Sequence, residues 1–166
     1  MGIDVCALVR RDHDELDRTL RTLLETSRAS AEQRELLDAF RIGLVAHVAA
    51  EAAVLGTLLV RTQPPLLLRL IVKQLDDEHR AQLAALDAIE AESIGSAAWS
   101  ERLLELRISL LEHASREDYF PSTLHDHVVS GERRRLAGEY ATERLRAISS
   151  LAPLAIAREA AVVSYN

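Results

Sequence analysis

Six residues of the types that bind metal ions recur in this chain as two copies of one pattern. Each copy is a lone His followed further along by His-x-x-x-Glu, and the second copy lies 66 positions after the first at all three residues (13 to 79, 47 to 113 and 51 to 117). The six are His13, His47, Glu51, His79, His113 and Glu117. Imidazole with carboxylate suits iron, manganese or zinc, and a pattern without thiolates argues against copper(I) and iron–sulfur clusters. The repeat predicts one metal site, large enough for two ions, shared by two halves of the chain.

The spacing inside each His-x-x-x-Glu pair is typical of a helix. Residues four apart on a helix differ by only about 40° in direction, so the imidazole and the carboxylate project from one face. That face is otherwise apolar, and a carboxylate buried there costs several kcal/mol unless it is paired or bound to a cation. A single buried His is more often a hydrogen-bonded core residue. The alternative of a structural polar network therefore stands for any one residue, whereas the repeated set favours metal binding.

The rest of the chain predicts an all-α protein. Leu and Ala dominate, and Gly, Pro and aromatic residues are few. Turn-forming residues divide the first part of the chain into four segments with helical periodicity, with breaks at 27–30, 62–65, 93–96 and 125–131. Short connections make neighbouring helices antiparallel. The predicted fold is an up-down-up-down, left-handed four-helix bundle with crossings of about 20°, and every candidate ligand lies in an inward-facing stripe.

The C-terminal part predicts an addition to this bundle within a single domain spanning 1–166. The bundle is expected over about 4–127 and a helical extension over about 131–163, with its helix at 132–149 and the remaining tail folded against it. Four side chains of that helix are available to pack on the bundle: Leu136, Tyr140, Leu145 and Ile148.

Charge and cysteine content limit the possible partners and location. The net charge of −6 leaves no basic face for a nucleic-acid backbone. Cys6 is the only cysteine, so no intrachain disulfide can form, and the N-terminus has no apolar signal-peptide core. The apolar tail at 151–163 is shorter than the roughly 20 residues of a membrane span. We expect a cytoplasmic monomer or small homo-oligomer that binds neither nucleic acid nor membrane.

The complete pattern, His13, His47-x-x-x-Glu51, His79 and His113-x-x-x-Glu117, resembles that of the hemerythrin-like family of HHE cation-binding domains over about Val5 to Leu124. The segment His-Ala-Ser-Arg-Glu-Asp-Tyr-Phe-Pro at 113–121 is similar to a sequence common in that family.

The resemblance implies a non-haem di-iron centre with an oxo or hydroxo bridge. In such a centre His13 and His47 would hold one iron, His79 and His113 the other, and Glu51 and Glu117 would bridge both. Oxygen-carrying hemerythrins have an additional His four positions from the one on the third helix, where this chain has Leu75 and Leu83. The leucines in place of this His favour a metal site with open coordination positions. Such a site would react with hydrogen peroxide, nitric oxide or dioxygen rather than carry oxygen reversibly.

Two classes of function follow. One is a di-iron oxidoreductase of the peroxidase, catalase-like or nitric-oxide-consuming type, acting against oxidative or nitrosative stress. The other is a non-enzymatic module for oxygen or iron sensing, binding or storage. Sensors of this type are usually fused to an output domain, and the short sequence after the bundle favours the enzyme. A ferritin-like di-iron oxidase is disfavoured because the chain contains no Glu-x-x-His pair.

Other polar residues are candidates for supporting roles. A ligating His usually needs an acceptor for its second ring N–H. The candidate acceptors are Asp12, Asp76 and Glu112, and the candidate hydrogen-bonding tyrosines are Tyr119 and Tyr140. His125 and His127 have no counterpart 66 positions away, so they are not expected to be ligands.

Overall fold

A computed structural model of the protein describes residues 4–25, 30–62, 65–117 and 128–163, with residues 62 and 152–163 described by their backbone alone. Within these ranges the chain is entirely helical and contains no strand. Its five helices are α1 (Val5–Leu24), α2 (Ser30–Thr62), α3 (Leu66–Glu90), α4 (Ala97–Glu117) and α5 (Ser130–Val163). The prediction of an all-α protein is confirmed.

Local interactions fix where the helices begin. The carboxylate of Asp4 accepts a hydrogen bond from the backbone N–H of Cys6 at 3.1 Å and so caps α1. The hydroxyl of Ser96 accepts from the backbone N–H of Trp99 at 3.1 Å, which caps α4 in the same way. Gly95, with φ of 80°, turns the chain just before this cap in a conformation that other residues rarely adopt.

Helices α1 to α4 form the four-helix bundle that the sequence predicts. Helix α1 packs against α2 and α4, and α3 packs against the same two helices from the other side. Helix α5 lies along α2 and α1 on the outside of this ring. The arrangement leaves the inward stripes of the four bundle helices facing one another, as a shared site requires.

The apolar core consists of two clusters of buried side chains with the candidate ligands between them. We call them the tyrosine cluster and the tryptophan cluster, after Tyr140 and Trp99. The tyrosine cluster comprises Val5, Ala50, Val54, Leu55, Leu58, Leu68, Val72, Leu75, Val128, Leu136, Ala137 and Tyr140. The tryptophan cluster comprises Leu16, Leu20, Leu23, Leu37, Phe40, Leu44, Leu86, Ile89, Trp99, Leu103, Leu106 and Leu110. Along α2, for example, Leu44 belongs to one cluster, Ala50 to the other, and His47 lies between them.

Helix α5 differs from the prediction in length and in one packing residue. The helix continues without interruption from Ser130 to Val163, so the segment expected to be a separate tail is its C-terminal part. Leu136 and Tyr140 are buried as predicted, but Leu145 is 63% exposed. Five residues on a helix correspond to about 140° of rotation, so the face that buries Tyr140 turns Leu145 towards solvent.

Helix α2 is, among the described helices, the one whose length and composition would allow it to cross a membrane. The same composition is found in the central helices of water-soluble bundles, so one such helix is weak evidence for a span. Here α2 packs against α1, α3 and α5.

Truncating Leu20, whose side chain is fully buried in the tryptophan cluster, should destabilise the fold strongly. We expect Leu20→Ala to lower the free energy of unfolding of the metal-free protein by about 2–5 kcal/mol, because the lost apolar contacts leave a cavity. Leu145→Ala should change it by no more than about 0.5 kcal/mol, because that side chain is exposed. Urea denaturation followed by circular dichroism measures both, and equal losses would contradict this core assignment.

Candidate metal centre

The four predicted histidines meet at the centre of the bundle and form a ring with approximate twofold symmetry. The ring centroids of His13 and His47 are 4.7 Å apart, and those of His79 and His113 are 4.6 Å apart. The other two sides, His13 to His113 and His47 to His79, both measure 5.4 Å. A shift of 66 positions exchanges equal sides of the ring, so the sequence repeat is also a structural repeat.

Glu51 and Glu117 follow the same symmetry. Oε2 of Glu117 lies 3.1 Å from Nε2 of His13, and Oε2 of Glu51 lies 3.2 Å from Nε2 of His79. Within their own helices, the carboxylates lie 3.4 Å from Nε2 of His47 and 3.7 Å from Nε2 of His113. Each carboxylate therefore faces one His of its own helix and one His of a neighbouring helix, as a bridging ligand would.

Two overlapping sets of four ligand atoms lie close enough to hold a cation each. One set comes from His13, His47, His113 and Glu117, the other from His47, Glu51, His79 and His113, and within each set all atoms are within 4.8 Å of one another. Together the sets contain all six predicted residues. Every one of these side chains is buried.

Four of these atoms have no hydrogen-bond partner among the described residues, as expected of atoms that bind a cation. Among the described residues, nothing hydrogen-bonds to Nε2 of His79 or His113, or to Oε2 of Glu51 or Glu117. Nε2 of His13 and Nε2 of His47 face each other at 3.2 Å, where at most one of them can carry a proton. Buried polar atoms of native proteins are nearly always paired. The donor set therefore fits a metal ion placed among these atoms.

Burial also sets the charge state of the pocket. Removal from water lowers the pKa of His47 and His79, and lowers that of His113 to about 4, so these imidazoles are neutral as metal ligands must be. Their short contacts with carboxylates are therefore not ion pairs. Burial raises the pKa of Glu51, and burial together with the nearby Glu51 carboxylate raises that of Glu117. A bound cation would compensate the cost of ionising both.

A hydrogen-bonded chain from α5 and α1 holds the ring of His47. The hydroxyl of Tyr140 donates to Oδ2 of Asp12 at 2.7 Å, and Nδ1 of His47 lies 3.0 Å from the same hydroxyl oxygen. Since Tyr140 gives its proton to Asp12, Nδ1–H of His47 is the donor to Tyr140, and the lone pair of Nε2 faces the pocket. Arg144 closes the chain by donating to Asp12 at 2.7 Å.

The ring of His113 is held by a carboxylate directly. Nδ1–H of His113 donates to Oε2 of Glu78 at 2.8 Å, and Oε1 of Glu78 pairs with Arg116 at 2.8 Å. Although burial acts in the opposite direction, the hydrogen bonds from His113 and Gln74 and the Arg116 charge hold the pKa of Glu78 below its ordinary value. Glu78 therefore stays ionised and fixes the tautomer of His113 that leaves Nε2 free.

The supporting residues were only partly foreseen from the sequence. Tyr140 and Asp12 are in place, although Asp12 reaches His47 through the tyrosine. Asp76 is instead bonded to Arg80 at the surface, and the exposed Glu112 lies 3.9 Å from Arg116. The remaining candidate, Tyr119, lies outside the described residues, as do His125 and His127, which were not expected to be ligands.

Glu78 was missed, although the sequence carries a signal for it. An acidic residue directly precedes the lone His in both copies, and Asp12 and Glu78 are themselves 66 positions apart. The repeat therefore extends beyond the six ligands to the acceptors behind them. Position 140 has no counterpart within the repeat, so the tyrosine on one side makes the two halves unequal.

Removal of the Glu78 carboxylate should weaken metal binding. Glu78→Ala leaves Nδ1 of His113 without its acceptor, and we expect metal affinity to fall by about 10–100-fold, which is typical for the loss of such a partner. Asp76→Ala, two residues earlier on α3, removes only a surface pair with Arg80 and should leave affinity unchanged. Competition with a metal-chelating dye measures both, and equal affinities for the two variants would contradict the role of Glu78.

Fold and side chains together define a four-helix-bundle protein with a buried pocket of His and Glu suited to a cation. The chain belongs to the hemerythrin family, since the model of the hemerythrin HHE cation binding domain matches residues 4–122, well over half of its length. The resemblance drawn from the six-residue pattern is thereby confirmed. Comparison with curated proteins and with solved structures gave no match.

Proposed function

We propose that the pocket binds two iron ions and that the loaded protein reacts with a small oxidant, with hydrogen peroxide as the first candidate substrate. His13 and His47 would hold one ion, His79 and His113 the other, and Glu51 and Glu117 would bridge them. The proposal depends most on one observation: six ligand side chains converge in a buried, twofold-symmetric pocket, and four of their ligand atoms have no hydrogen-bond partner among the described residues.

The shape of the ligand set supports two ions over one. The ring divides into two close His pairs, at 4.7 and 4.6 Å, and each carboxylate lies between a member of one pair and a member of the other. Iron is preferred among the metals that such ligands suit because the chain belongs to the hemerythrin family. Two adjacent iron ions would supply positions where a small molecule can bind and the capacity to exchange two electrons.

Peroxide is the preferred substrate because its disproportionation balances without an external electron donor. One molecule loses two electrons and two protons to give dioxygen, and the other takes them up to give two molecules of water. The chain would contribute rigid placement: Tyr140 and Glu78 hold two imidazoles, and the apolar clusters on both sides exclude bulk water. Nitric oxide and dioxygen are further candidate ligands, and we place the protein in the cytoplasm, where ferrous iron is available to load it.

The test is the reaction of iron-loaded protein with each oxidant. Protein loaded with ferrous iron and desalted is mixed with hydrogen peroxide, and dioxygen release and the near-ultraviolet spectrum are recorded; a parallel sample receives nitric oxide. Catalytic dioxygen release with an oxo-bridged charge-transfer band is the expected result. Bound iron without turnover of either oxidant would contradict the enzyme proposal and favour the alternative of a sensing, binding or storage module.

A further inference from the structure

Gln82 is a buried amide that no residue of the described chain satisfies. Its side chain is fully buried, and neither Nε2 nor Oε1 has a hydrogen-bond partner in the part of the chain that the structure describes. An amide removed from water without replacement bonds destabilises a fold, so such groups are almost always paired with protein, water or a ligand. The amide of Gln82 is therefore available to hydrogen-bond a molecule that the described part of the chain does not supply.

The helix positions Gln82 next to the metal centre. It follows His79 by three residues in the buried stripe of α3, so it lies one turn away on the same face. Side chains on a helix lean towards its N-terminus, and for Gln82 that direction leads back towards His79. Gln82 thus belongs to the layer of buried side chains next to the histidine ring.

The three corresponding positions on the other bundle helices are apolar. Leu16, Leu44 and Leu110 each lie three residues from a histidine of the ring, in the direction of the tryptophan cluster to which they belong. Gln82 takes the fourth place in this layer. Its counterpart 66 positions earlier is Leu16, so the two halves differ in this layer by the exchange of leucine for glutamine.

The carboxylates approach the histidine ring from the opposite side. Glu51 and Glu117 follow their histidines by four residues on α2 and α4, towards the tyrosine cluster, where Ala50 and Val54 flank Glu51. That side of the ring is thus filled by the two anionic ligands. The opposite side of the ring carries neither carboxylate and is lined by Leu16, Leu44, Leu110 and Gln82.

We propose that Gln82 is the hydrogen-bonding contact for the small molecule that reacts in this pocket, an inference that rests on the proposed function. A carboxamide offers two N–H donors and a carbonyl acceptor at fixed separation. It therefore favours a ligand that both accepts and donates hydrogen bonds, as hydrogen peroxide does, over nitric oxide, which has no hydrogen to donate.

The experiment compares Gln82→Met with Leu86→Met in the iron-loaded protein. Methionine has nearly the length of glutamine but cannot make the hydrogen bonds, and Leu86→Met makes a buried substitution one turn further along α3, in the tryptophan cluster and outside the layer next to the histidine ring. Azide, an anion that accepts hydrogen bonds, is titrated into the oxidised protein and followed by absorption. We expect Gln82→Met to raise the Kd of azide and to lower kcat/KM for peroxide by about tenfold, the effect of one lost hydrogen bond. Leu86→Met should leave both within about twofold.

Two further measurements keep the result interpretable. The iron content of Gln82→Met should equal that of the wild type, and the Tm of its metal-free form should be no lower, since an unpartnered buried amide has been removed. An azide Kd for Gln82→Met within about twofold of the wild-type value would overturn the inference, as would a wild-type protein that binds no azide. If the wild type binds azide but consumes no peroxide, the proposed reaction fails while the azide comparison still decides the role of Gln82.

Discussion

Replacing Glu51 and Glu117 together by glutamine is expected to abolish retention of metal while making the metal-free protein no less stable. Glutamine keeps the shape of each side chain but removes the charge that a cation needs. Burial raises the pKa of both carboxyl groups, so at neutral pH their ionised forms oppose folding of the metal-free protein. The double substitution should therefore weaken metal binding without lowering the stability of the metal-free protein, as expected when residues bind a ligand at the expense of stability.

The measurement combines metal analysis after iron loading and desalting with thermal unfolding in the presence of a chelator. We expect the double variant to lose more affinity than the about 10–100-fold typical of partners behind the ligands. Glu112→Gln is the matched control, because Glu112 is an exposed carboxylate on α4, the helix that carries Glu117. A double variant that retains iron like this control would refute the bridging role.

Loading the wild-type protein with iron should raise its Tm by about 10 °C. A ligand at about a thousand times its Kd stabilises the native state by about 4 kcal/mol, and each kcal/mol shifts the Tm of a chain of this size by about 2–4 °C. Four buried ligand atoms have no hydrogen-bond partner in the part of the chain that the structure describes, which lowers the stability of the metal-free protein and so enlarges the shift in Tm. Scanning calorimetry with and without iron measures the shift.

The specificity of that shift can be checked with two controls. A chelator added after loading should return the Tm to its starting value, and the Glu51→Gln, Glu117→Gln double variant should show almost no response to iron. An equal shift in the double variant would mean that iron stabilises the fold from somewhere else on the molecule.

The bundle and the convergence of the six candidate ligand residues could be predicted from the sequence because both follow from periodic patterns. Apolar residues at helical spacing define inward faces, and His-x-x-x-Glu uses the same spacing. The offset of 66 then identified residues that lie in different helices yet share one site. Local periodicity and one long-range repeat were enough to place these side chains at the bundle axis.

The environment of the ligands depended on contacts that neither pattern encodes. Tyr140 hydrogen-bonds to His47 although 93 positions separate the two residues in the chain. This contact forms because α5 packs on α2. Leu145 was expected to pack on the bundle and is exposed, because the orientation of α5 is fixed by Leu136 and Tyr140. The burial of Gln82 without a partner likewise emerges only when the four helices are assembled.

Glu78 shows an intermediate case. Its position next to His79 and its distance of 66 from Asp12 are visible in the sequence, but Asp76 and Glu112 are acidic neighbours of ligands as well. Only the packing of α3 against α4 shows that Glu78 faces His113 while the other two face solvent. Sequence spacing thus identifies candidate acceptors for the histidine N–H groups, and the tertiary structure shows which candidate makes the hydrogen bond.

The most direct test of the di-iron account is the number of iron ions that each chain retains. The purified protein is stripped with a chelator, loaded anaerobically with ferrous iron, desalted and analysed for iron and protein. The account predicts about two ions per chain for the wild type, because the four histidines form two close pairs and each carboxylate lies between the pairs. A folded wild-type protein that retains no iron would contradict it, and a single ion per chain would contradict the assignment of two metal positions.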